Sequence, residues 1–254
     1  MAQPRTKDEL RRMARAGQIV AMALDAMREA IEPGISTIEL DRLAEDLIRK
    51  QGGVPSFKGY HGFPATICTS VNEQIVHGIP GDRKLHDGEI ISVDVGAIWE
   101  DYHADAAITV AVGHVSSEEV RRLLRTTEDA LMAGIEAARA GERLGDVSHA
   151  IEAVADAARL GVIREYGGHG IGRAMHESPR IPNWGRAGQG ILLRPGMAMA
   201  LEPMLTLGGE KTRVLPDRWT VVTADGSLSA HFEHTIAVTD DGPVILTRVD
   251  NDLL

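Results

Sequence analysis

The sequence predicts an α+β fold: one compact domain over residues 1–254, built on a central sheet with pseudo-twofold symmetry and helices on one side. Two observations predict it. The first is an internal repeat. Leu-His-Asp-Gly-Glu-Ile-Ile-Ser-Val-Asp ends at Asp94, and Leu-Leu-Arg-Pro-Gly-Met-Ala-Met-Ala-Leu-Glu ends at Glu202, with Gly88 and Gly196 equally far ahead of those acids. Each copy is followed by an acid that opens a β-like run: Asp105 before Ala-Ala-Ile-Thr-Val, Glu233 before His-Thr-Ile-Ala-Val. The second observation lies upstream. Gly34 to Val54 and Gly141 to Val162 are similar stretches, so each half reads helix, glycine turn, helix, strands.

The elements follow in order. Residues 7–31 place Leu10, Met13, Ile19, Val20, Leu24, Met27 and Ile31 at helical spacing, and Glu32-Pro33-Gly34 stops that helix. Ser36-Thr37 starts a second helix that ends near Gly52-Gly53. Residues 54–80, rich in Gly, Pro and aromatics, predict loops around short strands. Residues 90–96 and 105–112 predict strands joined as a hairpin. Two long helices are expected over 117–139 and 144–159. A Gly-rich stretch, 167–172, comes next, then strands near 197–207, 219–224 and 231–238. No linker rich in Pro, Ser or charge divides the chain.

Composition narrows the class. The chain is 43% apolar, enough for a sizeable core, and its net charge of −10 argues against nucleic acid as substrate. Cys68 is the sole cysteine and cannot form an internal disulfide. Met1 to Arg15 is polar and charged rather than a signal peptide, and no apolar run reaches the roughly 18 residues of a membrane span. A soluble cytoplasmic protein is expected.

The acids carry the chemistry. A period-2 reading puts Asp94 on one strand face with Ile90 and Ser92. A lone Asp is more often an exposed strand-end residue, but Glu202 repeats the arrangement after an apolar run that gives no other reason for an acid. His169 stands among glycines, which let backbone approach closely around it. Alone it would be a loop histidine; beside four acids it becomes a candidate metal ligand through a neutral imidazole. His176 reads as a substrate-contacting or supporting residue. His77-Gly78-Ile79 looks like His169-Gly170-Ile171 of the other half. His61, His86, His103, His114 and His149 are expected to be surface or structural.

Asp94, Asp105, His169, Glu202 and Glu233 together bring four carboxylates, whose charge two divalent ions neutralise and one does not. Oxygen ligands with one imidazole suit Mn, Fe, Co or Zn. A two-metal site of this kind points to hydrolysis of a polar bond such as an amide.

The chain resembles the type I methionine aminopeptidases of the pita-bread (creatinase/aminopeptidase) fold family. The resemblance rests on Gly59-Tyr60-His61-Gly62-Phe63-Pro64, Ser70-Val71-Asn72-Glu73, His77-Gly78-Ile79-Pro80, Ser92-Val93-Asp94-Val95, Gly168-His169-Gly170-Ile171-Gly172, Met175-His176-Glu177, Leu201-Glu202-Pro203-Met204 and Phe232-Glu233-His234-Thr235. It covers nearly the whole chain. It implies an antiparallel pseudo-twofold sheet with helices on its outer face. It implies removal of N-terminal methionine before a small second residue, by a monomer meeting nascent polypeptide N-termini, with the ribosome as one meeting place. In the positions it transfers, Asp94, Asp105, His169, Glu202 and Glu233 are the ligands of two divalent ions (Co, Mn, Fe or Zn), with Asp105 and Glu233 bridging. His77, His176 and Glu202 are catalytic, Glu202 relaying a proton. Tyr60, Phe63, Cys68, Met175 and Trp219 form the methionine pocket, and His77 and His176 also contact substrate.

Phe63 stands where a tyrosine is common in the family, and Met175 where a phenylalanine is common. Ala106-Ala107 lack hydroxyls often found after the equivalent of Asp105, so support for that ligand is expected to differ. Two rival readings stand beside this one: a proline-specific peptidase or dipeptidase of the same fold, which usually carries an extra N-terminal domain, and a non-catalytic binding protein, which should have lost ligands.

Overall fold

The structure, a computed structural model, describes residues 4–250 and 253. Its helices are α1 (Lys7–Ala30), α2 (Thr37–Lys50), α3 (Glu118–Ala137) and α4 (Leu144–Ala157). Each lies within two residues of its expected ends, for physical reasons visible in the sequence. The α1 N-terminus is closed by Thr6 and Glu9: the Glu9 amide donates to Thr6 Oγ1 (3.3 Å) and the Thr6 amide to Glu9 Oε2 (2.8 Å). Ser36 and Glu39 close α2 in the same way. Pro33 and Gly34, the latter at φ +99°, end the first helix.

The strands are β1 (Val54–Pro55), β2 (Ile67–Val71), β3 (Gln74–Val76), β4 (Ile90–Trp99), β5 (Tyr102–Ala111), β6 (Gly161–Val162), β7 (Gly167–Gly170) and β8 (Glu177–Pro182). They continue with β9 (Ala198–Leu201), β10 (Met204–Thr206), β11 (Thr212–Val214), β12 (Val221–Thr223), β13 (Ser229–His231), β14 (Glu233–Thr239) and β15 (Gly242–Ile245). The main sheet runs β1-β4-β5-β14-β9-β7-β8, with β2 also on β4 and β15 also on β14. All its pairings are antiparallel. The repeat is visible in this order. β4 and β5 of the first half meet β14 and β9 of the second, with Glu233 opposite Ala107 and His234 opposite Ala106 at the centre. Gly88 and Gly196, the turn glycines before the paired acids, both take φ +88°. Helix α1 lies against β4 and β5, and α2 against α1; α3 lies against α4 and touches β9, β10, β13 and β14. The largest apolar cluster joins these helices to the sheet, through residues such as Met27, Ile48, Ile91, Leu123, Ile151 and Ile236.

Two expected strands are each broken in two. The run 197–207 splits at Glu202-Pro203 into β9, in the main sheet, and β10, in a separate sheet ordered β13-β10-β6. Proline has no amide proton to continue a ladder. The run 231–238 splits at Phe232, whose amide turns to the Pro203 carbonyl (3.3 Å), leaving β13 in the small sheet and β14 in the large one. Glu202 and Glu233 thus sit where the chain changes sheets. The Gly-rich stretch, expected as a loop, is strand β7. A Cβ on Gly168 would collide with the Ala200 carbonyl, and one on Gly170 with the Ser178 carbonyl, so glycine here permits tight pairing on both edges.

Candidate metal centre

Strand order lays the candidate ligands in a row across the sheet. Asp94 comes from β4, Asp105 from β5, Glu233 from the start of β14, Glu202 from the end of β9 and His169 from β7. His169 Nε2 lies 3.5 Å from Asp105 Oδ2 and 3.7 Å from Glu202 Oε1. Ligand atoms of Asp105, His169 and Glu233 all fall within 4.8 Å of one another. His169 Nδ1 is 2.9 Å from the Gly170 carbonyl, to which it donates, so Nε2 is the ring atom that faces the acids.

The electrostatics call for positive charge. Burial first, then the charges of Asp105 and Glu202, push the Asp94 carboxyl well above its ordinary range. Glu233 is pushed well up by burial and by Asp105, Glu202 and Asp94. Glu202 rises to about 7, mainly through burial, with His169 opposing. Burial works against charge on His169, yet its hydrogen bond to Asp105 and the nearby carboxylates raise it to about 9. Asp94 Oδ1 is buried and has no hydrogen-bond partner. Crowded acids, an imidazole whose Nε2 proton a cation would displace and an orphaned carboxylate oxygen form a donor set that fits divalent cations.

The absence of hydroxyls at Ala106-Ala107 is made good from the other half. Thr235 Oγ1 accepts the Asp105 amide (3.0 Å), and its proton points to the Asp105 carbonyl (2.8 Å) and Oδ1 (2.9 Å). Symmetry shows what is missing opposite: the residue facing Glu233 is Ala107.

Above the acids is a cavity of about 350 Å³. All the residues singled out in the sequence line it: Tyr60, Phe63, Cys68, His77, Asp94, Asp105, His169, Met175, His176, Glu202, Trp219 and Glu233. Phe63 and Trp219 meet edge to face at 5.1 Å. Tyr60 OH is 2.9 Å from His176 Nδ1, with the rings stacked at 5.4 Å. His176 is lowered to about 4, chiefly by burial and then by His169. Burial, with Asp94 and Glu233 beyond it, pushes the Cys68 thiol well up, so the sulfur is a neutral part of an apolar wall.

The structure revises or extends the sequence reading at four residues. His61 is exposed, as expected, and in addition lines the cavity edge-on to Tyr60 at 4.3 Å; φ is +47° there. Phe57, given no role, lines it too. His77 is not the sheet counterpart of His169. Ser92 and Ala200 each stand two residues before their acid, and opposite them are Ser70 and His169. The counterpart of His169 is therefore Ser70, whose hydroxyl accepts the Gly78 amide (3.2 Å) and so fixes the loop that carries His77. His77 has φ +61° and places its ring 5.9 Å from Tyr166 and 6.5 Å from Trp219. His231, also given no role, has Nε2 3.8 Å from Glu202 Oε2 and 3.9 Å from Glu233 Oε2. Its period-2 place before Glu233, like that of His103 before Asp105, was the signal available.

An antiparallel pseudo-twofold sheet, four helices and a row of metal-binding side chains under an apolar cavity describe a metallopeptidase. Residues 11–240 match the model of metallopeptidase family M24, and the chain belongs to that family. It is 51% identical to methionine aminopeptidase 1 of Bacillus subtilis (strain 168) over 245 residues, 96% of this chain and 98% of that protein. The crystal structure of methionine aminopeptidase from Thermotoga maritima superposes with a TM-score of 0.96 at 44% identity, covering 98% of this chain and 100% of that one. A Xaa-Pro dipeptidase from Bacillus anthracis has a TM-score of 0.76 at 25% identity and shares the pita-bread fold; this chain covers 63% of it. No helix among the described residues is long and apolar enough to cross a membrane.

Proposed function

We propose that this chain is a methionine aminopeptidase that removes N-terminal methionine from nascent proteins and peptides, preferring a small second residue. The observation that carries the reading is the arrangement of Asp94, Asp105, His169, Glu202 and Glu233 beneath an apolar cavity of about 350 Å³. The whole-length similarity to methionine aminopeptidases supports it, as does weaker, partial coverage of the dipeptidase. The reading treats the chain as a single catalytic unit acting as a monomer in the cytoplasm on nascent N-termini, with the ribosome as a place of encounter.

Those five residues would hold two divalent cations (Co, Mn, Fe or Zn). Asp105 and Glu233, on the two central strands, stand between Asp94 on one side and Glu202 with His169 on the other, which suits them to be shared between the two cations they would help to hold. Bound there, the cations supply Lewis acidity and lower the pKa of water to make a nucleophile near neutral pH. Glu202, at the end of β9 beside His169, would be placed to take the proton from water and pass it to the leaving amine. The apolar wall of Tyr60, Phe63, Cys68, Met175 and Trp219 suits an unbranched thioether and excludes water around it. His176, exposed at the cavity mouth, lowered by partial desolvation against the cavity wall and by His169, and oriented by the Tyr60 hydroxyl, can hydrogen-bond the scissile carbonyl, and His77 lies beside Trp219 across the cavity.

The test is hydrolysis of Met-Ala and Met-Leu tripeptides side by side, before and after chelation and metal return. Cleavage of Met-Ala that disappears with chelation and returns with Mn, Co or Fe is expected. Preference for Pro at the second position with no demand for Met at the first would sink the reading.

A further inference from the structure

His231 is a buried polar side chain, 1% exposed, aimed at the metal centre and left unused by the chemistry above. Its backbone is held firmly. The amide donates to Thr109 Oγ1 (2.8 Å), and Thr109 Oγ1 donates to its carbonyl (2.7 Å). Across the small sheet it pairs with Met204. Its ring is therefore delivered to one place, and there Nε2 has no hydrogen-bond partner. Two carboxylate oxygens lie just beyond hydrogen-bond reach of it, Glu202 Oε2 at 3.8 Å and Glu233 Oε2 at 3.9 Å. An orphaned buried ring nitrogen is costly unless something completes it. A bare lone pair facing two carboxylate oxygens would be repelled, whereas an N–H there faces two acceptors. A shift of roughly 1 Å by either carboxylate brings it to hydrogen-bond distance.

The other half shows that this is not a generic feature of the repeat. His103 stands before Asp105 as His231 stands before Glu233, but its Nδ1 is 3.0 Å from Ser56 Oγ. His103 is occupied with the loop after β1, and only His231 is free to serve the acids.

We infer that His231 is a positioning residue: its Nε2–H holds the Glu202 and Glu233 carboxylates in the orientation that binds cations. This rests on the reading of those acids as metal ligands. The role is one of aim, so a side chain that donates a hydrogen bond without being an imidazole should largely replace it.

The experiment measures Mn or Co affinity by competition with a chelator, together with kcat and KM on a Met-Ala tripeptide, for wild type, His231→Leu and His231→Gln. The unfolding midpoint of the metal-free proteins is recorded alongside. His231→Leu should bind metal about 10–100-fold more weakly, the usual cost of losing a group that orients a ligand. Its metal-free form should be as stable as wild type or more so, because an unpaired buried polar group has been removed. His231→Gln, which keeps a donor, should recover most of the affinity. Unchanged metal affinity in His231→Leu overturns the inference, as does a Gln variant no better than Leu, which would make the imidazole itself the ligand. Loss of metal-free stability that tracks loss of affinity also overturns it, by showing a packing role. Should the Leu variant fail to fold, His231→Met takes its place in the same comparison. Wild-type protein that binds no divalent cation sinks the metal-centre reading instead, a result these variants keep distinct.

Discussion

The two halves of the sheet carry the same pattern and are built to different standards. In the first half, β4 and β5 are continuous strands joined by a turn at Glu100 and Asp101, and every residue from Ile90 to Trp99 pairs with one from Tyr102 to Ala111. In the second half both corresponding runs are broken, at Pro203 and at Phe232, and the acids stand at the breaks. Asp105 of the first half receives a hydroxyl from Thr235 of the second, whereas Glu233 of the second meets only Ala107 of the first. His103 is bonded to Ser56, whereas His231 Nε2 is unpartnered. The difference teaches that a repeated pattern need not repeat its support. The first half is the more regular platform, although it too holds an unpartnered oxygen, Asp94 Oδ1. The second breaks its strands at the acids and carries the unpartnered His231 Nε2 beside Glu202.

If that division is right, the largest effects come from the acids the halves share. Asp105→Ala and Glu233→Ala should each lose cation occupancy and cut turnover by about 10³-fold or more, roughly 4 kcal/mol of barrier. Elemental analysis with a rate measurement checks this; two ions per chain in both variants would break the assignment. Glu202→Gln separates the halves further. It should fold, retain part of its metal and lose most turnover, because an amide cannot accept the proton from water.

A smaller effect sharpens the contrast in support. Thr235→Ala removes the hydroxyl from Asp105 and should weaken metal binding or turnover by about 10–100-fold, with Thr235→Ser restoring most of it. Equal rates in the Ala and wild-type proteins would mean that the asymmetry in support has no functional weight.

How much of this could be read from the sequence follows from where local patterns govern. Helices α1 to α4 obey apolar spacing and capping signals such as Thr6-Glu9 and Ser36-Glu39, and the sequence shows both. Strands β4 and β5 alternate plainly enough to be placed. The short strands β6, β8, β11 and β15 have too few residues to show a period. The breaks at Pro203 and Phe232 depend on which sheet each segment joins, a non-local matter. The four candidate acids are legible because the repeat doubles each signal; His169 has no doubled partner and stands out only by its glycines. Thr235 was not, since its importance depends on register across β5 and β14 rather than on its neighbours. His77 was matched to the wrong partner because Gly and Ile follow it by coincidence, whereas strand pairing points to Ser70.

The cavity wall shows a further dependence of the second half on other parts of the chain. Met175 and His176 ride on the segment after Gly172, which is anchored from outside the repeat. The Arg5 guanidinium pairs with the Glu177 carboxylate, and Glu177 Oε1 accepts the Ala174 amide (3.2 Å). A Cβ on Gly172 would occupy the space Arg5 takes. Arg5→Met should therefore raise KM by roughly 5-fold, about 1 kcal/mol, with metal content and kcat little changed. A fall in kcat with unchanged KM would instead place the effect on the chemistry.

The smallest expected effect tests the platform itself. Tyr102 opens β5, is fully buried, and its hydroxyl donates to Glu9 Oε1 at the start of α1, clamping helix to hairpin. That bond, with the Thr6 amide, lowers Glu9 from 4.5 to about 2. A carboxyl depressed on folding stabilises the protein above its unfolded pKa and loses that contribution as pH falls through the folded value. The Glu9 contribution should thus be complete above about pH 4.5 and fade toward pH 2. Glu9 is close to solvent, so screening keeps the effect small: Glu9→Gln should lower the unfolding midpoint by about 1–3 °C at pH 6. The gap between variant and wild type should then narrow as the scan is repeated at lower pH. A gap that stays constant down to pH 2 would show that Glu9 acts by shape rather than charge. A Glu9→Gln protein with unchanged stability at pH 6 would show that the first half owes its rigidity to the β4–β5 ladder alone, without the helix laid across it.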